Sequence, residues 1–472
     1  MLKRTLTTAA TSKPFRLAVV GSGPAGFYTS HKLLKESPTT QIDMFDSLPV
    51  PHGLVRYGVA PDHPEVKNVM TTFDKVAEDE RFRFFGNVTI GKQNDDNISK
   101  SIAVHELQRY YDAILFSYGA SEDRQLGIPN EDVYGSSSAR TFVGWYNGLP
   151  RDRDLKLPLE DTDTAVVIGQ GNVALDVARV LLSPIDELRK TDMTEYALEA
   201  LSKSRIKHVH VVGRRGPLQA AFTAKELREQ LKLPGVQFRA DHTWIHDQIQ
   251  QHSDYLAKRR PLKRLMALLD QEQNKQGDKS WHLQFLRSPV EILTNNDRVA
   301  GIRYEINRLE GPVEKSRAVG TGEYETQECG LVLRSIGYKS LAMDGLPFDV
   351  QQGLIPNLYG KMIDHEQNEM PGMYTAGWLK RGPTGVIVST MSDAYETADT
   401  ILADLRKDAP MLSSQNHADD DLFQLMYQRQ IRHVSYDDWK RIEAAEFQAG
   451  AKLGKPREKF TTVEHMLDVL NR

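Results

Sequence analysis

The chain has 472 residues, 40% of them hydrophobic and 26% charged, which is enough for two or three globular domains with separate cores. Its net charge of −4 excludes a general attraction to nucleic acid, so an acidic partner must find a local basic patch. The single cysteine, Cys329, excludes an internal disulfide, a redox cysteine pair and an iron–sulfur cluster held by this chain alone. No apolar run reaches the ~20 residues of a transmembrane helix, so we expect no membrane span.

The N-terminal segment is basic and contains no acidic residue. Lys3, Arg4 and Lys13 stand among Thr, Ser and Ala, and the first acidic residue of the chain is Glu36. This composition is typical of a mitochondrial transit peptide. We therefore predict that residues 1–15 direct the protein to the mitochondrial matrix; a disordered basic tail on a cytosolic protein is the alternative.

Residues 16–46 predict a strand, a glycine-rich turn, a helix and a second strand. In the turn GSGPAG, Gly21 permits the bend, Gly23 lets backbone approach a pyrophosphate, and Gly26 lets the helix pack on the strand. Asp46 ends the second strand, where such folds place an acid that accepts hydrogen bonds from a ribose hydroxyl. These features predict a dinucleotide-binding unit.

The next segment predicts a shaped loop, a helix and a strand. The loop Ser47–Pro64 contains four prolines and two glycines, which excludes regular structure and indicates a rigid loop of the kind that builds sites. Residues Pro64–Phe84 are predicted to be helical, and Tyr111–Tyr118 are predicted to form a buried strand.

A second strand–turn–helix unit begins at Thr164. Its turn, GQGNVA, has Gly169 and Gly171 in the fingerprint positions and Ala174 in place of the third glycine, a variant that still allows close helix packing. The sequence therefore predicts a second dinucleotide-binding unit, which is lengthened by an insertion around Ser183–Ser204.

The two units differ in the charge that follows their second strand. The strand Ile206–Gly213 ends in Arg214 and Arg215, whereas the first unit ends in Asp46. A carboxylate suits a ribose hydroxyl and two guanidinium groups suit a 2′-phosphate, so we expect FAD on the first unit and NADP(H) on the second. A solvated charge pair at a strand end is the alternative for the arginines.

Two such units predict an α/β fold with two Rossmann-like dinucleotide-binding domains, which resembles flavoproteins of the glutathione reductase type. The strand between the units ends at residues 117–120, and a comparable segment, 330–339, follows the second unit. Such segments mark where the chain enters and leaves an inserted NADP-binding domain. We therefore expect a discontinuous FAD-binding domain at 16–116 and 341–472, and the NADP-binding domain at 117–340.

Several long motifs resemble those of the adrenodoxin reductase family, mitochondrial flavoproteins that pass electrons from NADPH to a small [2Fe–2S] ferredoxin. They run from about residue 16 to residue 458: VVGSGPAGFY, GLVRYGVAPDHPEVKNV, FVGWYNGLP, VIGQGNVALDVAR, VVGRRGPLQAAFTAKELRE, RSIGYKS, GWLKRGPTGVI and GKPREK. One departure is Asp46, where the family more often has Glu; the shorter carboxylate can still reach a ribose.

The resemblance implies an FAD site formed by the first turn, the Pro-rich loop and a late segment. Its residues are Gly21, Gly23, Ala25, Gly26, Asp46, Leu54, Ile90, Trp378, Gly385, Val386 and Ile387. Residues 383–385 precede an apolar run and predict a helix N-terminus, whose dipole can stabilise charge that develops on the flavin during reduction. For Trp378, a core aromatic is the alternative.

The resemblance also implies an NADP(H) site and two catalytic residues. The NADP(H) residues are Gly169, Gln170, Gly171, Asn172, Val173, Arg214, Arg215 and Glu226. Glu226 has a competing explanation, because Thr223–Glu226 is a capping-box pattern. His63 and Asp176 match residues that the family holds near the flavin; the alternatives are a plain loop histidine and an acid favoured in a first helical turn.

A basic run predicts where a partner docks. Residues 258–264 carry five positive charges and no acid, and ferredoxins of this kind are acidic. By the resemblance, Arg228, Arg260 and Arg264 are docking arginines, whereas a solvated basic helix is the alternative. We expect a monomer and leave open a peripheral contact with the inner membrane.

The resemblance implies an FAD-dependent NADPH:ferredoxin oxidoreductase, in which NADPH delivers a hydride and single electrons leave to two successive ferredoxins. No protein nucleophile is needed. One alternative is an electron-transfer subunit of the glutamate synthase type, whose cysteine motifs this chain lacks. The other is a non-catalytic nucleotide-binding protein, which would bind NADPH without turnover.

Overall fold

The computed structural model describes residues 14–91, 101–271, 276–385, 387–412 and 419–471. Its strands are, in chain order, β1 (Phe15–Val20), β2 (Thr40–Phe45), β3 (Phe82–Phe85), β4 (Thr89–Ile90), β5 (Ser101–Ile102), β6 (Ala113–Phe116), β7 (Glu122–Asp123), β8 (Ser136–Ser138), β9 (Thr164–Ile168), β10 (His208–Val212), β11 (Val236–Arg239), β12 (Lys279–Gln284), β13 (Arg287–Asn295), β14 (Arg298–Glu310), β15 (Arg317–Glu328), β16 (Leu331–Arg334), β17 (Tyr338–Lys339), β18 (Asn357–Leu358), β19 (Lys361–Ile363) and β20 (Glu369–Thr375).

The helices are α1 (Pro24–Glu36), α2 (Leu54–Tyr57), α3 (Pro64–Lys67), α4 (Met70–Ala77), α5 (Val104–Leu107), α6 (Ala139–Asn147), α7 (Asn172–Leu182), α8 (Ile185–Leu188), α9 (Glu195–Ser202), α10 (Ala224–Lys232), α11 (His242–Gln251), α12 (Ser253–Ala257), α13 (Arg260–Leu269), α14 (Trp378–Arg381), α15 (Ile387–Arg406), α16 (Asp419–Gln428), α17 (Tyr436–Lys452) and α18 (Val463–Val469). No helix in these described ranges is long and apolar enough to cross a membrane.

The first sheet has seven strands in the order β18-β19-β20-β6-β1-β2-β3. Strands β20, β6, β1, β2 and β3 run parallel, and an antiparallel edge is added by β18 and β19. Helices α1 and α15 pack together on one face, where Leu17 and Val19 are buried. Ala18 and Val20 are buried in a second core on the other face. Because both faces are covered, the central strands are apolar throughout.

The second sheet has six parallel strands in the order β11-β12-β10-β9-β16-β8. Helices α6, α7 and α10 contribute to the core on one face, which includes Val167 and Val209. On the other face, Val166 and Val212 are buried with Ile292 and Ile302 of a three-stranded antiparallel sheet, β13-β14-β15. The predicted α/β fold with two Rossmann-like sheets is confirmed.

Two short strands connect these sheets. Strand β7 pairs antiparallel with β17, with Asp123 opposite Tyr338. The chain passes from β6 of the first sheet through β7 to the second sheet, and returns through β17 to β18 of the first. The first sheet is therefore discontinuous in sequence, while the domain bounds at 116/117 and 340/341 stay a prediction.

Two secondary-structure predictions are corrected by the structure. The loop Ser47–Pro64 was expected to contain no regular structure, but Leu54–Tyr57 form the short helix α2, because residues 52–60 contain no proline.

The second prediction is wrong at its C-terminal end. The segment Pro64–Phe84 was predicted to be one helix, but it forms α3, α4 and then the start of edge strand β3. The sequence FRFF in β3 alternates two environments: Phe82 and Phe84 are buried, while Arg83 reaches Asp43 at 2.7 Å. Aromatic residues with this alternation favour a strand beside β2 over another helical turn.

The insertion Ser183–Ser204 contains helices α8 and α9 and joins separate parts of the chain. Met193 and Leu198 are buried in the core of the second unit. The Asp192 carboxylate lies 2.6 Å from Lys67 Nζ of α3 and 3.0 Å from Lys459 Nζ near the C-terminus. The insertion therefore fixes the second unit to the first.

The motif GKPREK has a structural role at this junction. Its cations Lys455, Arg457 and Lys459 are all buried. Arg457 pairs with Glu443 of α17 at 2.6 Å, and Lys455 donates a hydrogen bond to the Met193 carbonyl. The alternating cations thus link the C-terminal helices to the insertion.

Candidate functional site

The first glycine turn leaves an open space at the N-terminus of α1. Gly21 has φ +106°, and a Cβ there would lie 2.6 Å from Tyr118 Cα, so only glycine fits. A Cβ on Gly26 would lie 2.5 Å from the Gly21 carbonyl oxygen. By contrast, a Cβ on Gly23 would meet nothing within 4 Å. The backbone N–H groups at this helix end can therefore be approached by a phosphate.

Asp46 is held against this turn. One carboxylate oxygen, Oδ2, accepts hydrogen bonds from Ser22 N at 3.0 Å and Ser22 Oγ at 2.5 Å, and Oδ1 accepts one from Leu48 N at 2.9 Å. Burial raises the pKa of Asp46, against the effect of these hydrogen bonds. The acid is thus fixed beside the open space, as a ribose contact requires.

Two distant segments approach the same turn. A Cβ on Gly53 of the Pro-rich loop would lie 3.2 Å from Gly23 Cα, and Leu54 begins α2 at that point. A Cβ on Gly377 would lie 2.6 Å from the Cβ of Ala25. Tertiary packing therefore places the predicted FAD residues Ala25 and Leu54 around one turn.

Trp378 is half-buried and begins α14. Its ring stacks on Tyr338 of the β17 connection, with centroids 5.1 Å apart and planes at 25°. It is therefore not a residue of the buried core. Ile90 is buried in β4, Gly385 lies two positions before Ile387, and Ile387 is the first residue of α15. Val386 lies outside the described residues.

The second glycine turn repeats the geometry of the first. Gly169 has φ +123°, and a Cβ there would lie 2.1 Å from the Ser335 carbonyl oxygen. A Cβ on Gly171 would meet nothing within 4 Å. Ala174 is fully buried at the third position. Both turns therefore have the shape that accommodates a dinucleotide pyrophosphate.

The residues between these glycines are tied to their neighbours. Gln170 Nε2 donates a hydrogen bond to the Gln284 carbonyl at 2.8 Å. Asn172 Oδ1 accepts one from Thr223 N at 2.8 Å, and half-buried Val173 packs against the core of this unit. These contacts hold the turn against neighbouring segments. The side chains of Gln170, Asn172 and Val173 are therefore turned away from its open side.

Arg214 and Arg215 are exposed at the end of β10, but their backbone is fixed. The Arg214 carbonyl accepts a hydrogen bond from Asn307 Nδ2 at 2.9 Å, and the Arg215 carbonyl accepts one from Leu286 N at 3.1 Å. Neither guanidinium forms an ion pair within the described parts of the chain. Two exposed cations on a fixed backbone suit an anionic group such as a 2′-phosphate.

The predicted capping box at Glu226 is only half formed. Thr223 Oγ1 accepts a hydrogen bond from Glu226 N at 3.3 Å, but the Glu226 carboxylate does not return to Thr223 N, which is bonded to Asn172. Instead, this carboxylate turns inward, with Oε2 at 3.8 Å from Arg179 Nη1. Burial and the charge of Asp176 raise the pKa of Glu226.

Arg179 connects the acids of this region. Its buried guanidinium lies 2.6 Å from Asp62 of the Pro-rich loop and 2.6 Å from Asp176. Burial raises the pKa of Asp176 despite this contact, whereas the Asp62 pKa, which burial alone would raise, is brought below its usual range by Arg179. Asp176 lies in the second turn of α7 and not in the first, so the first-turn explanation for this acid is wrong.

His63 faces the same region from the Pro-rich loop. Its Nε2 lies 2.7 Å from Glu229 Oε2, and the imidazole is buried. Glu229 was not among the predicted site residues, although its spacing of three residues from Glu226 puts both on one face of α10. His63, Asp176 and Glu226, which are far apart in sequence, are thus brought together at the junction of the two units.

The predicted docking arginines lie on two helices that pack together. Arg228 is exposed on α10, and Arg260 and Arg264 are exposed on α13. The run is less basic than its sequence indicates, because Arg259 pairs with Glu314 at 3.1 Å. We call these three exposed arginines, on two helices that pack together, the arginine surface.

Comparison with known proteins identifies relatives over nearly the full length of the chain. Residues 15–260 match the model of the pyridine nucleotide-disulphide oxidoreductase family. The chain is 47% identical to NADPH:adrenodoxin oxidoreductase, mitochondrial, of Salvelinus fontinalis over 98% of this chain and 93% of the relative, and 46% identical to that of Homo sapiens over 96% and 92%. The structure of Mycobacterium tuberculosis FprA in complex with NADPH is similar at a TM-score of 0.88 and 40% identity, covering 97% of this chain and 99% of FprA.

Proposed function

Because this chain belongs to the NADPH:adrenodoxin oxidoreductase family, we propose that it carries electrons from NADPH, by way of FAD, to an acidic [2Fe–2S] ferredoxin of the adrenodoxin type. The observation that best supports this reaction is the pair of open glycine turns, one beside an acid and the other followed by two exposed arginines. This pairing distinguishes a site for FAD from a site for NADP(H).

FAD fits the first turn and its surroundings. Asp46 would hold the ribose, the N-terminus of α1 would face the pyrophosphate, and Ala25 and Leu54 would pack against the cofactor. The start of α15 after Gly385 presents the positive end of a helix, which stabilises negative charge. When bound, FAD accepts two electrons from NADPH together and releases them singly.

NADP(H) fits the second turn. The N-terminus of α7 would face the pyrophosphate, and Arg214 and Arg215 would bind the 2′-phosphate. Gln170 and Asn172 hold the turn in shape through their bonds to neighbouring segments. Glu226, with its carboxylate turned inward, can accept a hydrogen bond from a ribose hydroxyl.

His63 and Asp176 are proposed to serve the reaction at the junction of the two units. The contact with Glu229 fixes the orientation of the His63 imidazole. The contact with Arg179 fixes the Asp176 carboxylate. These side chains orient bound reactants and replace the water that would otherwise enter between the units.

We also propose a domain organisation, an oligomeric state and a location for the protein. The FAD-binding domain comprises 16–116 and 341–472, and the NADP-binding domain comprises 117–340, with the ferredoxin docked on the arginine surface. The protein acts as a monomer in the mitochondrial matrix, and peripheral contact with the inner membrane is a secondary proposal. Size-exclusion chromatography with light scattering tests the monomer, and sedimentation with cardiolipin-containing vesicles tests the membrane contact.

Reduction of cytochrome c by NADPH, with the FAD-loaded protein and an added adrenodoxin-type ferredoxin, tests the proposed reaction. We expect turnover that requires both the protein and the ferredoxin. NADPH binding with no flavin reduction would favour a non-catalytic nucleotide-binding protein. Flavin reduction without electron transfer to the ferredoxin would support the proposed reaction of NADPH with FAD and contradict the proposed ferredoxin partner.

A fusion to a fluorescent protein tests the location. We expect the full chain to carry the reporter into mitochondria, because residues 1–15 have the composition of a transit peptide. The same fusion lacking Met1–Pro14 should stay in the cytosol. Import of the shortened fusion would show that another segment directs the protein.

A further inference from the structure

We propose that His63, Glu226 and Glu229 form a zinc site that joins the Pro-rich loop to helix α10. One ligand atom from each, the imidazole nitrogen and a carboxylate oxygen of each glutamate, lies within 4.8 Å of the others. His63 is buried and both glutamates are half-buried, so the three groups face the junction rather than open solvent. Nothing in the proposed electron transfer requires a metal at this position.

The geometry needs little adjustment to hold the ion. Zinc binds imidazole nitrogen and carboxylate oxygen at about 2.0–2.2 Å, so ligand atoms of a tetrahedral site stand roughly 3.3–3.6 Å apart. His63 Nε2 and Glu229 Oε2 are 2.7 Å apart in a direct contact, so these two atoms would separate by somewhat less than ~1 Å to admit the ion. Glu226 and Glu229 share a face of α10, and rotation about their side-chain torsions can bring the ligand atoms, which lie within 4.8 Å of one another, to these separations.

The surroundings carry an excess of negative charge. Four carboxylates meet at the junction, those of Asp62, Asp176, Glu226 and Glu229. Among the described residues, two lysine or arginine side chains contact them, Arg179 and Lys225. Lys225 is also shared with Glu65, at 3.0 Å. A divalent cation would offset this excess at the point where the acids converge.

One acceptor at the centre of the cluster lacks a partner. Glu226 Oε2 is buried and forms no hydrogen bond within the described parts of the chain. Its ion-pair contact, Arg179 Nη1, is 3.8 Å away and is itself without a hydrogen bond there. A buried anionic oxygen without a close donor is costly, and a bound cation would supply the missing contact.

The ligand set selects the ion. An imidazole nitrogen with two carboxylates suits zinc, whereas magnesium and calcium prefer oxygen ligands alone. Three protein ligands leave the fourth position of a tetrahedral ion to water or to a bound anion.

Zinc at this position would inhibit the enzyme. Glu226 is one of the residues proposed to bind NADP(H), so the ion and the dinucleotide would compete for it; this step rests on the proposed function. By joining the Pro-rich loop to α10, the ion would hold the junction of the two units closed.

Metal retention by the FAD-loaded full chain tests the site without any turnover. After dialysis against micromolar Zn²⁺, we expect one zinc per chain by atomic emission. His63→Gln and Glu229→Gln should each weaken zinc binding by at least about 10–100-fold, since even outer partners of ligands have effects of that size. The matched control Glu65→Gln removes a neighbouring charge outside the cluster and should retain zinc. No retention by the wild type, or equal retention by Glu229→Gln, would overturn the proposal.

A ligand exchange separates loss of the site from loss of the fold. Glu229→His replaces one zinc ligand by another and should regain most of the binding that Glu229→Gln loses. Bound FAD and melting temperature are measured for every variant. If Glu229→His keeps its FAD and stability but binds zinc no better than Glu229→Gln, Glu229 is not a ligand and the proposal is wrong.

Competition is measured separately by titrating NADP⁺ with and without saturating Zn²⁺. NADP⁺ affinity should fall with zinc in the wild type and stay unchanged in Glu229→Gln. Retained zinc with unchanged NADP⁺ affinity would overturn the inhibitory role. Zinc retention needs neither NADP(H) nor ferredoxin, so a failure of the proposed electron transfer would be recognised independently.

Discussion

Arg179 and Asp62 form an ion pair between segments 117 residues apart, with Nε 2.6 Å from Oδ2. Arg179 belongs to the helix after the second glycine turn, and Asp62 belongs to the Pro-rich loop after the first dinucleotide-binding unit. The same guanidinium is 2.6 Å from Asp176 and only 4% exposed. One buried cation thus sets the position of two acids and of His63, the neighbour of Asp62.

Arg179→Met should lower the free energy of unfolding by about 3 kcal/mol, because it leaves two partly buried carboxylates without their cation. Urea denaturation of the FAD-loaded protein measures this change. The matched control Arg298→Met removes an exposed pair with Asp161 and should change stability by less than about 1 kcal/mol. Equal, small effects of both substitutions would show that Arg179 does not hold the junction together.

Replacing Arg214 and Arg215 by alanine should weaken NADPH binding by roughly 10²–10⁴-fold, since each charge-assisted hydrogen bond contributes about 1.5–3 kcal/mol. Binding of NADH, which has no 2′-phosphate, should barely change. Titration followed by flavin absorbance measures both affinities. Lys203→Ala with Lys207→Ala removes two cations from the basic segment Lys203–Arg215, which also contains both arginines, and should leave the preference intact. Retention of the full NADPH preference in the arginine double variant would contradict the assignment.

Replacing Arg260 and Arg264 by glutamate should sharply reduce ferredoxin-dependent cytochrome c reduction, because like charges would then face an acidic partner. Reduction of ferricyanide should stay nearly normal, since this small acceptor needs no docking surface. The wild-type ferredoxin reaction should weaken as salt rises, with a Debye length of about 8 Å at physiological ionic strength and about 3 Å at 1 M.

The control for this experiment is Arg298→Glu with Arg406→Glu, two exposed arginines outside the arginine surface. It should leave both assays unchanged. Equal loss of both activities in the Arg260 and Arg264 variant would indicate damage to the flavin site. No loss in either would place docking elsewhere, with Lys203–Arg215 the next candidate.

His210 and His282 make stability depend on pH. Their rings stack with centroids 4.2 Å apart, and burial lowers the pKa of His210 to about 4 and that of His282 to about 3. Unfolded histidine has a pKa of about 6.5, so between pH 6.5 and pH 4 the unfolded chain binds more protons than the folded chain. Stability should therefore fall as the pH falls through this range.

Substitution isolates this effect from the titration of carboxylates. His210→Asn with His282→Asn should show a smaller loss of stability between pH 7 and pH 5 than the wild type, as measured by urea denaturation at each pH. His246→Asn, at an exposed position, is the matched control for the change of histidine to asparagine itself. An unchanged slope in the double variant would show that these rings titrate normally.

Local patterns in the sequence determined the two nucleotide-binding units. Gly21 and Gly169 both have positive φ, and a Cβ on either would collide with backbone atoms. Helix α1 follows the first of these turns, as predicted. The conformation of such a turn depends on residues within about thirty positions of one another, so it can be predicted from the local sequence. The contrast between Asp46 and Arg214 is equally local, because Asp46 directly follows β2 and Arg214 lies two positions after the end of β10.

Only the tertiary structure decided which side chains meet at the junction. His63 meets Glu229 across 166 positions, and Arg179 meets Asp62 across 117. Glu226 could be read from sequence as a helix cap, yet its carboxylate turns inward because Thr223 N is already bonded to Asn172. These contacts depend on how the Pro-rich loop packs against α7 and α10. A local sequence pattern does not predict that packing, because it depends on how the cores of both units are buried, and those cores are built from residues far apart in the sequence.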